Sequence, residues 1–311
     1  MASNSASKTV LYTAIAGNLL VAATKFGAAI FTGSAAMLSE GVHSVVDSGN
    51  EVLLLYGLRR STLPPDTEHP LGYGREIYFW SFVVALLIFA LGAGVSILEG
   101  ILRILEPEPI ESPMVSYVVL ALSAVFEGAS WLVVMRRFES ERREQGLIEA
   151  VRESKDPPSF TVLFEDSAAL IGIAIAAAGT FLATQANLPV FDGIASVLIG
   201  LVLAATASFL ARESKGLLIG ERADKAIVDS ITQLARDKEG VCHANDVLTV
   251  HLAPRQIVVA LNLEFADEMN TPQIEAAVLE LERSVRQQHP EVTAVFVKPQ
   301  SARTFAKASA A

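Results

Sequence analysis

Six stretches of this chain are long and apolar enough to cross a lipid bilayer: residues 9–31, 36–58, 77–104, 113–135, 160–184 and 190–211. A helix needs about 20 predominantly apolar residues to span the hydrocarbon core, and within lipid only helices and closed barrels satisfy their own backbone polar groups. The first two thirds of the chain are therefore expected to form an all-α bundle of six membrane helices. The bulk composition agrees, with 51% hydrophobic and 19% charged residues and a mean hydropathy of +0.43, more apolar than a soluble chain of 311 residues. The opening MASNSASK lacks a charged segment of the kind that precedes a cleaved signal, and the run after it is of spanning length, so the N-terminus is expected to stay in the mature protein.

The connections orient the bundle. Arg59, Arg60 and Arg75 flank the link between the second and third stretches; Arg136, Arg137, Arg142, Arg143 and Arg152 crowd the link between the fourth and fifth; Arg212 and Lys215 follow the sixth. The opposite links, TGS, EPEPIESP and TQANLP, contain neither Lys nor Arg. The positive-inside rule then puts both termini in the cytoplasm. The charged link RRFESERREQGLIEAVRESKDPPS reads as a helical connector that ends at Pro157 and Pro158.

Near residue 221 the composition becomes that of a soluble domain. RADKAIVDSITQLARD has helical periodicity, DVLTVHL and QIVVALNLEF alternate like strands around the turn APR, TPQIEAAVLELERSVRQQH is a second helix with Thr271 as its N-cap, and VTAVFVK is a last strand. The order αββαβ predicts a small α+β domain on the cytoplasmic side. The division expected is residues 1–8 as an N-terminal segment, 9–213 as the membrane domain, 214–300 as the α+β domain and 301–311 as a disordered tail.

Two function classes are excluded early. A net charge of −10 does not suit a phosphate backbone, so nucleic acid is not an expected partner. The single cysteine, Cys242, rules out an intrachain disulfide framework and a CxxC-type zinc knuckle, so metal chemistry must rest on His, Asp and Glu. No phosphate-binding loop and no HExxH motif is present, which argues against ATP hydrolysis and against a metallohydrolase.

Ionisable residues nevertheless stand inside the apolar stretches. His43 and Asp47, at i and i+4, share one face of the second helix about 6 Å apart along its axis, a spacing suited to two ligands of one divalent metal. Each charge at the bilayer centre costs at least about 2.5–3.5 kcal/mol, so several on one face point to an ion pathway. The plainer alternative is that His43 and Asp47 pair with each other or with Lys25 to stabilise packing. Glu40 and Glu51 read as solvated flanks. The fifth stretch supplies Glu165 and Asp166, of which only one can face the same centre as the second helix, because adjacent helical residues point about 100° apart. Glu127 lies mid-membrane in the fourth stretch, beside the small residues Gly128, Ala129 and Ser130, where either an ion pathway or a packing hydrogen bond would use it.

The span-two segment GSAAMLSEGVHSVVDSGNEV, the following DTEHPLGYGRE, the ED pair of the fifth stretch and the C-terminal αββαβ order together resemble the cation diffusion facilitators, over residues 8 to 300. The resemblance implies a six-span divalent-metal/proton antiporter, homodimeric, with a metallochaperone-like cytoplasmic domain, and Zn²⁺ carried as substrate rather than held as a cofactor. It implies a transport site of His43 and Asp47 with Asp166; the family's remaining position falls on Val162, so the fourth donor is Glu165, Glu127 or a water. Asp66 and His69 match two positions of a second family site, but Tyr73 stands at its third, and the segment HPLGYG also suits turn duty. In the cytoplasmic domain Cys242 and His243 lie near a family metal position and read as loop residues, while Asn262, Lys298 and Gln300 stand where other ligands would be. His251 and His289 read as a strand residue and a helix-end residue. The membrane implied is a bacterial cytoplasmic one.

Overall fold

The computed structural model describes residues 2–32, 35–107, 110, 113–141 and 155–309, with side chains throughout except at 2–7, 29, 31–32, 35–43, 137–138, 140–141 and 307–309. It divides into two compact units, Met1–Lys215 and Gly216–Ala311.

The first unit is helical. Helix α1 runs Ala2–Thr32, α2 Ala35–Arg60, α3 Glu76–Leu105, α4 Pro113–Glu141, α5 Pro157–Gln185 and α6 Val190–Ile219. Among the described residues five of these, all but α2, hold windows long and apolar enough to cross a membrane. In α2 side chains are described only over residues 44–60, a stretch shorter than the 18 residues such a window needs. Helix α3 passes through a π-helical turn at Ile88–Ala93, whose sequence IFALGA ends beside Gly94. Wide turns of this kind interrupt the regular i to i−4 ladder.

Packing between these helices follows from small residues and buried polar pairs. A Cβ on Gly100 of α3 would meet Gly193 O and Val197 N of α6 at 2.7 Å, and one on Gly193 would meet Gly100 O and Ile104 N at 2.8 Å. The two backbones touch where both sequences have glycine. At one end of this contact Arg103 pairs with Glu99 at 2.8 Å and with Asp192. Elsewhere Trp131 Nε1 of α4 donates to Ser167 Oγ of α5 at 2.9 Å, and Gly57 of α2 lies against Trp80 of α3.

Pro157 and Pro158 open α5 rather than close a connector. Proline suits the first helical turn, where its missing N–H removes no intrahelical bond. The arginines at 142, 143 and 152, and half of EPEPIESP, lie outside the described residues.

The second unit contains α7 (Lys225–Arg236), β1 (Val241–Ala253), β2 (Gln256–Phe265), α8 (Thr271–Gln288), β3 (Val292–Pro299) and α9 (Ala302–Ser309). The sheet order is β1-β2-β3, antiparallel between the first two and parallel between the last two. Alternation along β2 turns Ile257, Val259, Leu261 and Leu263 to one face, where they bury with Ile231 and Ala235 of α7 and Leu281 and Val285 of α8.

Three sequence expectations change here. The N-cap of α8 is Asn270, not Thr271: its side chain accepts from Gln273 N while Gln273 Oε1 accepts from Asn270 N, a reciprocal capping box that leaves Thr271 inside the first turn. The tail read as disordered forms α9, started by Ser301, whose carbonyl accepts from Phe305 N and whose hydroxyl accepts from Thr304 N. Cys242 and His243 are the second and third residues of β1 rather than a loop, because β1 pairs with β2 as far back as Val241 and Phe265.

Candidate cation site between the membrane helices

Helix α2 carries its ionisable residues at four-residue spacing. His43, Asp47 and Glu51 therefore form one stripe, each about 6 Å further along the axis. The side chains of His43 and Glu40 lie outside the described residues. Asp47 is partly buried and Glu51 is 1% exposed. The reading of Glu51 as a solvated flank is thus corrected. Glu51 faces the helix interface, where Asn18 of α1 donates from Nδ2 to its Oε1 at 2.6 Å.

Helix α5 presents its two acidic neighbours in different directions. Glu165 Oε1 accepts from Asn50 Nδ2 of α2 at 3.5 Å, and Asp47 is the neighbouring charge that Glu165 feels most strongly. Asp166, 3% exposed, looks instead toward Glu127 and Ser130 of α4. The 100° between adjacent residues is accommodated because α5 has α2 on one side and α4 on the other. Val162, one turn before Asp166, is 1% exposed.

Five carboxyl groups thus come within electrostatic reach of one another: Asp47 and Glu51 from α2, Glu127 from α4, and Glu165 and Asp166 from α5. Facing them, Lys25 of α1 interacts with Glu127 and donates to Ser44 Oγ at 3.0 Å. Glu51 Oε2, Glu165 Oε2 and Asp166 Oδ2 are buried and have no hydrogen-bond partner among the described residues. Buried anionic oxygen is costly unless it is paired or bound to a cation. Among the described residues no three His, Cys, Asp or Glu side chains yet converge on a point that could hold a metal ion, and His43 is not among the side chains compared. The donors are gathered around α5 but remain apart.

The link between α2 and α3 is a different kind of place. Asp66 Oδ1 accepts from the backbone N–H groups of Glu68 at 3.0 Å and His69 at 2.7 Å, and Tyr73 donates its hydroxyl to Asp66 Oδ2 at 2.6 Å. His69 Nδ1 lies 3.5 Å from Asp66 and its ring stacks on Tyr73 at 4.2 Å. Gly72, at φ +81°, turns the chain where a side chain would be strained. Arg60 sits over the Tyr73 ring and pairs with Glu76, which also accepts from Trp80 Nε1. The Tyr73 hydrogen bond, aided by the His69 N–H, holds the Asp66 carboxyl below its ordinary range, and the same bond raises the Tyr73 phenol. Tyr73 thus uses an oxygen of Asp66 where a third ligand of that loop would stand.

In the second unit, His243 Nδ1 is 3.0 Å from Glu264, His251 is buried with Nδ1 3.3 Å from Ala253 O, and His289 ends α8 with Nε2 2.8 Å from Ser230 Oγ. Asn262 stands in register between Asp246 and Lys298, and Asn245 donates to Gln300 O at 2.8 Å.

Over residues 11–219 the sequence matches the family described as the cation efflux transmembrane domain, from within α1 to the end of α6. The chain belongs to the cation efflux, or cation diffusion facilitator, family. Its fold and apolar helices make it an integral membrane protein, and its family is one of transporters rather than enzymes. This cation efflux chain is 34% identical over 258 residues to the human proton-coupled zinc antiporter SLC30A9, mitochondrial, covering 82% of this chain and 45% of the human one. It is 32% identical over 265 residues to metal tolerance protein C4 of Arabidopsis thaliana, covering 85% of this chain and 58% of the plant protein. The chain therefore spans about half the length of these relatives. All five carboxyl groups of the cluster fall inside the cation efflux match.

Asn18 and Asn50 are the residues that sequence reasoning passed over, while Glu51 was set aside as a flank although it continues the stripe four residues after Asp47. Nothing local marks Asn18, which is defined by a contact 33 residues away.

Proposed function

We propose that the chain is a secondary transporter that exports a divalent metal cation from the cytoplasm in exchange for protons, with Zn²⁺ as the cargo. The observation that carries this reading is the cluster of Asp47, Glu127, Glu165 and Asp166 on three helices of a cation efflux domain, in which Glu165 and Asp166 each keep a buried oxygen without a hydrogen-bond partner among the described residues. The human relative's description as a proton-coupled zinc antiporter supports the choice of cargo and counter-ion. The transport site is His43, Asp47 and Asp166, with Glu165, Glu127 or a water as fourth donor. In this reading α2 is a sixth span whose polar stripe is kept from lipid by α1 and α5, and the second unit is a cytoplasmic αββαβ domain. Both termini are cytoplasmic, the chain is a homodimer through this domain and its membrane helices, and the membrane is a bacterial cytoplasmic one. Asp66 and His69 serve the turn after α2 ahead of any metal.

Metal and proton compete for the same lone pairs. A neutral imidazole and ionised carboxylates bind the cation, and their protonation releases it. If the same groups meet the two sides of the membrane alternately, each cation moved outward is matched by protons moved inward. A second cargo reading, Mn²⁺, Fe²⁺, Co²⁺ or Cd²⁺, is favoured by one observation: every described donor in the cluster is oxygen, which suits harder ions. A non-transporting membrane sensor is the remaining alternative.

The test is metal-driven proton flux in proteoliposomes loaded with a pH-sensitive dye. Flux is expected with Zn²⁺, and none with Asp47→Ala or Asp166→Ala. Absence of flux with all five ions overturns the transporter, and normal flux in Asp166→Ala removes that residue from the site.

A further inference from the structure

One carboxyl of the cluster, Glu51, is not absorbed by the transport site, and grouping Glu165 with it leaves Glu127 or a water as that site's fourth donor. Glu51 lies one helical turn beyond Asp47, on the side of Arg59 and Arg60, and is almost wholly removed from the surface. One of its oxygens is fixed by Asn18 at 2.6 Å; the other, Oε2, is buried without a hydrogen-bond partner among the described residues. Glu165 of α5 is one of the acidic groups within electrostatic reach of Glu51, with Asp47, Asp166 and Glu127. Its own Oε2 is likewise buried and without such a partner, while Asn50 holds its Oε1.

Two features set this pair apart from a packing contact. A packing hydrogen bond would use both oxygens of a buried carboxyl, since each unsatisfied one carries a desolvation cost. Here the asparagines from α1 and α2 each hold one oxygen and leave the second oxygen of each carboxyl unused. The amides donate hydrogen bonds but carry no charge, so they orient the two carboxylates without neutralising them. A buried carboxyl held in this way is completed by a proton or by a cation, and two facing each other offer a cation two charges at once.

We propose that Glu51 and Glu165, oriented by Asn18 and Asn50, form a second divalent-cation station one helical turn from the Asp47 site, on its arginine-bearing side. This rests on the transporter reading only for its role, a waiting position for the cargo next to the transport site; binding there is a separate property. The donors are all oxygen, so the station takes hard or borderline divalent ions and is less selective for Zn²⁺ than a site containing His43. Thr161, one turn before Glu165 on α5, adds a further buried hydroxyl without a partner among the described residues.

The experiment counts Mn²⁺ bound to the purified full-length chain in lipid nanodiscs, from the loss of the free-ion EPR signal. It compares the wild type with Glu51→Gln, Asp47→Ala and the double variant. Glu51→Gln keeps the shape of the side chain and an oxygen for Asn18 but removes the charge. It is expected to lose one equivalent, or to weaken that equivalent by about tenfold or more, the scale of a lost supporting group at a metal site. Asp47→Ala is expected to lose a different equivalent, and the double variant both. An unchanged number of equivalents and unchanged affinity in Glu51→Gln overturns the station. Unchanged binding in Asp47→Ala overturns the transport-site reading and leaves the station standing on Glu51 alone. If Glu51→Gln does not fold, Glu51→Asp, which draws the carboxylate back by one methylene, takes its place, with weakening of the station's equivalent expected and unchanged affinity overturning it.

Discussion

Asn18 and Glu51, 33 residues apart in the chain, are joined by a 2.6 Å hydrogen bond in the buried contact between α1 and α2. It makes the first helix part of the acidic centre, although α1 itself contributes no acidic side chain to the cluster. Replacing Asn18 with Leu leaves Glu51 Oε1 as unpaired as Oε2. A buried polar group left without its partner costs about 1–3 kcal/mol. The thermal midpoint of the purified protein, followed by tryptophan fluorescence, is expected to fall, and Asn18→Asp is expected to be no better because it adds a like charge. An unchanged midpoint in Asn18→Leu would mean that the bond does not hold α1.

Val162 stands four residues before Asp166, where a side chain on the same face of α5 would approach Asp166 and Glu127. Val162→His is expected to raise Zn²⁺ affinity in a competition assay, since it adds an imidazole beside the carboxyl groups of Asp166 and Glu127. The larger side chain enters a filled position and should cost about 1–3 kcal/mol of stability. Unchanged Zn²⁺ affinity in a folded Val162→His protein removes that position from the metal's surroundings.

The contact of α3 with α6 gives a purely steric expectation. Gly100→Ala puts a methyl group 2.7 Å from Gly193 O and Val197 N, both backbone atoms that cannot swing aside. Overpacking of this kind costs about 1–3 kcal/mol. The midpoint should drop, whereas Gly128→Ala, with nothing within 4 Å of the added carbon, should leave it within error. Equal effects of the two substitutions would show that helix propensity, not contact, decides.

The Asp66 and Tyr73 pair gives a pH window. The folded Asp66 carboxyl is held below 3.8, so its contribution is fully present above that value and is lost as pH falls through the folded one. The Tyr73 phenol is raised above 10.0, so its contribution is present below that value and is lost as pH rises through the folded one. Hydrogen exchange of the 62–75 segment, corrected for intrinsic rates, should therefore show protection across the whole range between, with losses only at the two extremes. Tyr73→Phe should move the acid loss upward toward 3.8. No movement would assign the turn to its backbone bonds alone.

What could be read from residues alone followed the range of the interactions. The i, i+4 spacing of His43 and Asp47 is local, so it was visible, and the apolar runs gave the bounds of α2, α3 and α5 to within three residues but stopped six to eight residues short of the polar ends of α1, α4 and α6. Glu51 was misread because a charge eight residues before Arg59 looks like the edge of a span. Only α1, brought against α2 by the fold, buries it. For Glu165 and Asp166 the sequence required a choice of one inward face, since it could not say that α5 has polar neighbours on two sides. The starts of α5 and α8 were missed by the smallest margin, where Pro157 was taken as a stop and Thr271 as a cap one residue late.

Gly100 and Gly193 impose a mechanical constraint as well as a steric one. With no side chains between them, α3 and α6 have little room to slide or roll independently, and they behave as one stiff beam. The acidic centre is built the other way, from long side chains whose oxygens can exchange partners over a few ångströms without tearing backbone from backbone. Compliance in the bundle is therefore concentrated where α1, α2, α4 and α5 meet, and that is where the charge is.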